Sequence, residues 1–315
     1  MLYPKIYIGP MSKNVVNAIT EFCDETDNKI GLIPSRRQVE YDGGYVNKWT
    51  TKNFSKYANK LVLKRDHSGP GQGYKDDDGY TSLKEDCNFF NLIHIDPWKK
   101  YPKYKDGLKW TIDMIEFCYD INQDIEFEIG TEESIRKFSS DELYKLVKDL
   151  AFNLHPQVFN KIKYLVIQSG TSLKGNNNTG SYNKDRLLSM LSVAKHYNLL
   201  SKEHNGDYIS SDLIKEKMKL GLDSINIAPE FGLIETLSYI DEGIDIDKFW
   251  KICYDSKRWV KWVDSDFDPF LQKLDLIKIC GHYVFSTKRF NKIKPNIDNI
   301  IKLNIKNKLN ELFEQ

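Results

Sequence analysis

Short apolar runs recur along the chain, each ending in a polar cluster and followed by a stretch with amphipathic spacing. Run 29–34 ends in Ser35-Arg36-Arg37-Gln38, and run 60–64 ends in Arg65-Asp66-His67-Ser68-Gly69-Pro70-Gly71. Run 91–95 precedes Asp96-Pro97, run 125–129 precedes Gly130-Thr131-Glu132-Glu133, and run 164–168 precedes Ser169-Gly170-Thr171. Run 198–202 ends in Glu203-His204-Asn205-Gly206-Asp207, run 224–228 ends in Pro229-Glu230-Phe231-Gly232, and 281–286 is an eighth candidate. Alternating strand and helix signals predict parallel β/α units. Eight of them predict an α/β fold, the (β/α)8 TIM barrel.

Helix starts are marked at Thr50-Thr51, Thr81-Ser82, Ser139-Ser140 and Ser210-Ser211, where a hydroxyl stands at the capping position. The longest gap, between the last two runs, predicts an insertion near 236–275 that carries Trp259 and Trp262, read as covering the barrel wall. Ile and Leu spacing near 295–314 predicts a terminal helix that closes the barrel. No low-complexity linker divides the chain, so residues 1–315 are expected to form a single barrel domain.

Composition narrows the partners. With 46 Lys+Arg against 45 Asp+Glu, a net charge of +1 gives no global pull toward nucleic acid or an anionic membrane. An anionic partner must therefore be held by a few placed groups. The start of the chain has no apolar leader and no run of about 18 apolar residues occurs, which predicts a soluble, unexported, cytoplasmic protein. Five widely spaced cysteines, without a CxxC pair, predict reduced buried thiols rather than disulfides or a thiolate zinc site.

In a TIM barrel the chemistry sits at the carboxyl ends of the strands. Of the six histidines, His67, His94, His204 and His282 fall on or just after predicted strands. Asp66 precedes His67, Asp96 follows His94 by two, and Glu203 and Asp207 flank His204. Imidazole with carboxylate and an open position describes a catalytic divalent metal, zinc first. His94 and Asp96, two apart on a strand, share a face; the bland reading of Asp96-Pro97 is a turn. The Gly69–Gly73 loop beside Gln72, the Arg36-Arg37-Gln38 cluster and the segment after Lys174 offer donors for a phosphate or a polyol. Lys202, with Lys64 as a second candidate, stands where a Schiff-base lysine would, although neighbouring acids favour a salt bridge instead.

Asp66-His67-Ser68-Gly69-Pro70, Gly130-Thr131-Glu132, Val166-Ile167-Gln168-Ser169-Gly170 and His204-Asn205-Gly206-Asp207-Tyr208 occur in the order of the DHxGP, GTE, VxQxG and HxxDY segments of the tagatose-bisphosphate aldolase GatZ/KbaZ-like subunit family. Arg37-Gln38-Val39-Glu40 followed by Gly43-Gly44-Tyr45 is similar to that family's strand-one segment. The resemblance runs from about residue 30 to about residue 235. It implies a TIM barrel related to zinc-dependent class II aldolases that act on phosphorylated ketoses. Carried over by position, it points to Gln38, Asp66, His67, Gly130, Thr131, Glu132, Gln168, His204 and Asp207.

The leading expectation is a metal-dependent carbon–carbon lyase acting on a phosphorylated ketose. His67 and His204, with Glu132 as a third, are the expected metal ligands. Asp66, Glu132, Lys202, Glu203 and Asp207 are the expected catalytic groups. Arg36, Arg37, Gln38, Lys64, Gln72, His94, Asp96, Gln168, Ser169, Lys174, Asn226, Glu230 and His282 are the expected substrate contacts. Two alternatives stay open: a noncatalytic barrel subunit that stabilises a partner aldolase, and a metal-dependent sugar-phosphate isomerase or epimerase. A homo-oligomer or a partner aldolase chain is compatible with either.

Overall fold

A computed structural model describes residues 3–313. Eight parallel strands close into a barrel: β1 (Ile6–Ile8), β2 (Ile30–Leu32), β3 (Val62–Ser68), β4 (Leu92–Ile95), β5 (Glu126–Ile129), β6 (Ile162–Ile167), β7 (Leu200–Glu203) and β8 (Ser224–Ile227). Each strand pairs with its sequence neighbours, and β8 closes onto β1 with Asn226 opposite Tyr7. Helices follow the strands and pack outside, so the chain is a (β/α)8 TIM barrel.

Seven of the expected runs are strands; the eighth is not. Gly281–Tyr283 forms a 3-10 turn between helices, with Gly281 packed tightly on Thr236. The missing strand is β1, three residues enclosed by Pro4 and by Gly9-Pro10, too short to show alternation. Caps explain several helix starts. Ser12, Thr50, Ser139 and Ser210 each accept a backbone N–H from their own first turn. The helix expected to start at Thr81 spans Tyr80–Phe89 and begins after Gly79, with no side-chain cap. Gly79 has φ +81°, and a Cβ there would lie 2.6 Å from the Gly69 backbone, so glycine brings this turn against the β3 loop.

After β8 come helices Pro229–Asp241, Ile246–Ser256 and Lys273–Cys280, with a short turn at Val260–Trp262. Trp259 packs on Tyr254 and Phe267 of the same segment. The last helix, Asp298–Phe313, lies on the first: Phe313 meets Phe22, and Lys302 pairs with Glu21 at 2.6 Å. Lys308 reaches Glu230 at 2.7 Å, which ties the same helix to Pro229–Asp241 and spans the first and last β/α units. Among the described residues no helix is long and apolar enough to cross a membrane, and four of the five free cysteines are buried.

The strands alternate between barrel interior and helical layer, and charged residues sit on both sides. Lys64, Glu128 and Lys202 point inward, where they meet Tyr7 and Tyr164. Lys64 Nζ is 2.5 Å and Lys202 Nζ 3.2 Å from Glu128 Oε2, and Lys202 Nζ lies 3.3 Å from the centre of the Tyr7 ring. Their sequence neighbours point outward. Arg65 forks onto Asp86 at 2.7 and 2.8 Å, and Glu203 pairs with Lys217 at 2.7 Å. An ionic layer thus lies inside the barrel beneath the carboxyl ends of the strands.

Candidate metal centre and active-site cavity

Two residues above Lys64 on β3 the alternation brings Asp66 inward again. A register shift between Arg65 and Ser68, with φ +45° at His67, then turns the next residue inward as well. A bulge with a left-handed non-glycine residue is strained, and it delivers two consecutive side chains to one side. His94 arrives from β4, and His204 from the residue after β7. Atoms of Asp66, His67, His94 and His204 all lie within 4.8 Å of one another.

Each imidazole has one nitrogen committed to an acceptor. His67 Nδ1 is 2.6 Å from Asp96 Oδ2, His94 Nε2 is 3.0 Å from the Gly130 carbonyl, and His204 Nε2 is 2.8 Å from Glu128 Oε1. These acceptors fix a proton on that nitrogen, so the second nitrogen of each ring is the one that could meet an ion. The second nitrogens lie around Asp66, His67 Nε2 at 3.6 Å, His94 Nδ1 at 3.7 Å and His204 Nδ1 at 4.0 Å, and His94 Nδ1 also accepts the His67 backbone N–H at 3.3 Å. Neighbouring ligands of a tetrahedral zinc ion, with bonds of ~2.1 Å, stand roughly 3.4 Å apart, so this donor set is of the right size and chemistry for a divalent metal. A buried Asp/His cluster able to hold a metal is therefore present. Asp96, Glu128 and Gly130 orient it.

The protonation pattern follows from the same contacts. Burial opposes charge on His67, but Asp66 and then Asp96 raise its pKa to about 10. Burial lowers His204 to about 4 against the pull of Glu128 and Asp66. Asp66, although buried, is held well below the usual carboxylate range by His67, His94, His204 and Lys64. Glu128 is held low despite burial, chiefly by Lys202 and Lys64. Burial, helped by Lys64, pushes Lys202 far below the ordinary ammonium value.

A cavity of about 570 Å³ opens above this cluster. Asp207 lies on its wall: Oδ1 accepts the N–H groups of Ala228 and Glu230 at 2.9 and 2.8 Å, and burial raises its pKa to about 8. At neutral pH the proton resides on Oδ2, because Oδ1 is occupied by two donors. Glu132 also lines the cavity and accepts the Ser134 hydroxyl at 2.7 Å. It stands outside the four-residue cluster, in which His94 and Asp66 join the expected His67 and His204. Asn226 donates to Asp66 at 3.4 Å while its Oδ1 has no partner, and His282 Nδ1 is likewise buried without one. Burial, with Lys261 nearby, lowers His282 to about 3, so it stays neutral. Gln38, Arg37 and Gln72 complete this side, and Gln72 also donates to Asp96 at 3.0 Å.

Several expected site residues are placed elsewhere. Arg36 is buried, with four of its five N–H donors bonded to Glu40, Asp77 and the Gly69 carbonyl, so it braces the loop. Gln168 is saturated by Thr131, Arg136, Phe138 and Arg186. Glu203 and Ser169 face the helical layer with Lys217, because Glu203 alternates with the inward Lys202. Lys174 is on the surface, paired with Asp264, and Glu230 is held by Lys308 and the Tyr208 N–H. Lys64 and Lys202 lie below the cavity floor, paired with Glu128 in the ionic layer, which fits the salt bridge favoured over a Schiff-base amine and leaves neither at the rim as a catalytic or substrate-binding group.

The sequence reading missed Glu128, Lys99 and Lys261. Glu128 had a signal: alternating acids in Glu126-Phe127-Glu128 are anomalous in a strand covered on both faces. Lys99 and Lys261, on loops over the cavity, had none.

No protein-family model matches the sequence, and no curated protein matches it. Among solved structures the chain is similar to a protein of Sinorhizobium meliloti described as a probable tagatose 6 phosphate kinase, at 14% identity over 99% of both chains and a TM-score of 0.76. It is similar to the fructuronate-tagaturonate epimerase UxaE of Cohnella laeviribosi at 8% identity, over 99% of this chain and 78% of that one, with a TM-score of 0.62. It is also similar to the YdjI aldolase of Escherichia coli at 11% identity, over 92% and 90%, with a TM-score of 0.54. At such identities the likeness is one of fold.

Proposed function

We propose that this chain is a metal-dependent aldolase of the tagatose-bisphosphate aldolase GatZ/KbaZ-like type, cleaving or forming a carbon–carbon bond in a phosphorylated ketose. One observation carries the reading. Three imidazoles at the carboxyl end of the barrel each have one nitrogen tied to an acceptor and the other turned toward the Asp66 carboxylate. Asp66, His67, His94 and His204 would hold the ion, zinc by the chemistry of the set. When bound, a divalent ion supplies Lewis-acid polarisation of a sugar carbonyl.

The chain's own residues do the rest. Glu128, Asp96 and the Gly130 carbonyl keep the imidazoles in one tautomer and orientation. Asp207, protonated at neutral pH, donates from Oδ2 toward the sugar, while Glu132 offers a second carboxyl for the opposite transfer. Asn226 Oδ1 and His282 Nδ1 are unfilled partners for sugar hydroxyls. An epimerase reading is favoured by the shared fold with UxaE, and it uses the same groups without bond cleavage. A purely supportive subunit would not need this complete donor set beneath an open cavity.

The test is to load the full chain with zinc and supply ketose bisphosphates, following products by NMR. Triose phosphate release that chelator abolishes supports the aldolase; inversion of a carbon without fragments supports the epimerase. His67→Ala and His204→Ala should each lose the metal. Retention of stoichiometric zinc in both variants, or no conversion by the zinc form, overturns the proposal.

A further inference from the structure

Three cations converge on the cavity from three different loops. Arg37 follows β2, Lys99 follows β4, and Lys261 comes from the Val260–Trp262 turn beyond the last barrel strand. Their sequence neighbours show what an ordinary cation does in this protein. Arg36 is 2.7 Å from Asp77, and Lys100 is 2.7 Å from Asp76. Among the described residues, no carboxylate comes within 4 Å of Arg37, Lys99 or Lys261. Arg37 donates to the Gly73 carbonyl at 3.4 Å and lies 5.9 Å from the centre of the Tyr74 ring, and Lys261 lies 4.2 Å above the Trp262 ring.

The three are close enough to repel one another. Although Lys261 keeps more than a third of its surface open, crowding by protein, then Arg37, Lys99 and Arg258, pushes its ammonium down to about 7. Lys99 is lowered by burial and then by Arg37. Asp96 acts on Lys99 and Glu132 on both lysines, and together they offset this only in part. Arg258 is drawn aside onto the Tyr74 ring at 4.0 Å. A fold that gathers three like charges around a cavity with no carboxylate in contact with any of them leaves most of the counter-charge to the ligand.

We infer that Arg37, Lys99 and Lys261 form an anion subsite that receives the phosphoryl end of the substrate, apart from the Asp66/His67/His94/His204 cluster. The inference rests on the proposed reading of this cavity as a substrate site and adds the group that anchors the far end. A phosphoryl group carries about two negative charges and three acceptor oxygens, which suits a guanidinium plus two ammonium groups. A sugar carboxylate, with one charge, is matched by a single arginine fork and leaves two cations uncompensated.

The test measures inorganic phosphate binding to the full chain by calorimetry, with chelator and again with zinc, against acetate as the carboxylate probe. The expected result is phosphate binding that survives chelation, with acetate at least tenfold weaker. Arg37→Met, Lys99→Met and Lys261→Met, all in loops, should each weaken phosphate fivefold or more, while His204→Ala leaves it within twofold. Phosphate binding that is lost with His204→Ala, that is indifferent to all three cation variants, or that acetate equals overturns the subsite. The two proposals fail separately: phosphate binding without turnover of any ketose removes the aldolase, and turnover with no effect of the three variants removes the subsite.

Discussion

Replacing Glu128 by Gln keeps the shape of the side chain and removes one charge from the ionic layer. In the native protein Oε2 faces Lys64 at 2.5 Å and Lys202 at 3.2 Å, while Oε1 accepts from His204 at 2.8 Å, all fully or nearly fully buried. Lys202 is already driven toward its neutral form by burial, so the ammonium that suffers is Lys64. Leaving a buried charge without its partner costs about 3–5 kcal/mol. With ~2.1 cal/mol/K of unfolding entropy per residue over 315 residues, the melting temperature should fall by about 5–8 °C. Removing the stranded charge as well, in Glu128→Gln/Lys64→Met, should restore at least about 2 kcal/mol, because the two sites are in contact and couple. His204 keeps only a neutral amide oxygen in place of its ionised orienting acceptor in both variants, so zinc affinity should drop by about 10–100-fold even where stability returns. Calorimetric melting and competition with a zinc chelator read the two effects separately. A Glu128→Gln protein that melts within 2 °C of wild type and holds zinc as tightly would refute the ionic layer as the support of the metal centre.

Other perturbations probe different links. Asp96→Asn should weaken zinc by about 10–100-fold, since the amide cannot fix the Nδ1–H tautomer of His67 as a carboxylate does, and chelator competition checks it. Asp207→Asn should keep zinc yet lower turnover by about 10²–10⁴-fold, and the fall in rate above about pH 8 expected of the wild type should be absent from its pH profile. Glu235, buried against Ser12 and Asn14, has its pKa raised by burial from 4.5 to about 7. The folded state then binds the extra proton between those values, so stability present at pH 4.5 declines as pH climbs through 7, by at most roughly 3 kcal/mol. Melting curves of Glu235→Gln should lack that decline, and a parallel pH dependence in both proteins would rule it out.

Much of the barrel can be read from the sequence because parallel strands are nearly continuous apolar runs, and each leaves its polar cluster at the carboxyl end. The exceptions have specific causes. β1 is three residues long, too brief for periodicity, whereas the alternation around Tyr283 and Phe285 belongs to a turn packed on Thr236. His67 and His204 are identifiable from chain order, but the roles of their neighbours depend on parity along the strand. Lys202 points in, Glu203 out and His204 in, and a one-residue difference separates a member of the candidate metal cluster from a brace for Lys217. Arg36 and Arg37 divide in the same way: one is consumed by Glu40 and Asp77, the other opens onto the cavity. Lys99 and Lys261 come together only through loops whose paths no local pattern encodes.

Charge inside the barrel also links stability to chemistry. An apolar filling of the Lys64–Glu128–Lys202 layer would avoid the desolvation of three ionisable groups, and such replacements are often neutral or stabilising. An apolar filling could not, however, hold the Nε2 proton of His204. Glu128 is held low in the interior by the two lysine side chains that pack on its other oxygen, and the oxygen that accepts from His204 fixes which nitrogen of that ring faces Asp66. The same division recurs on the other side of the cluster, where Gln72 and the Thr131 hydroxyl keep Asp96 fixed under His67. The candidate metal centre is therefore built two residues deep: the Asp/His cluster can be shaped for an ion only because the barrel accepts buried charge below it.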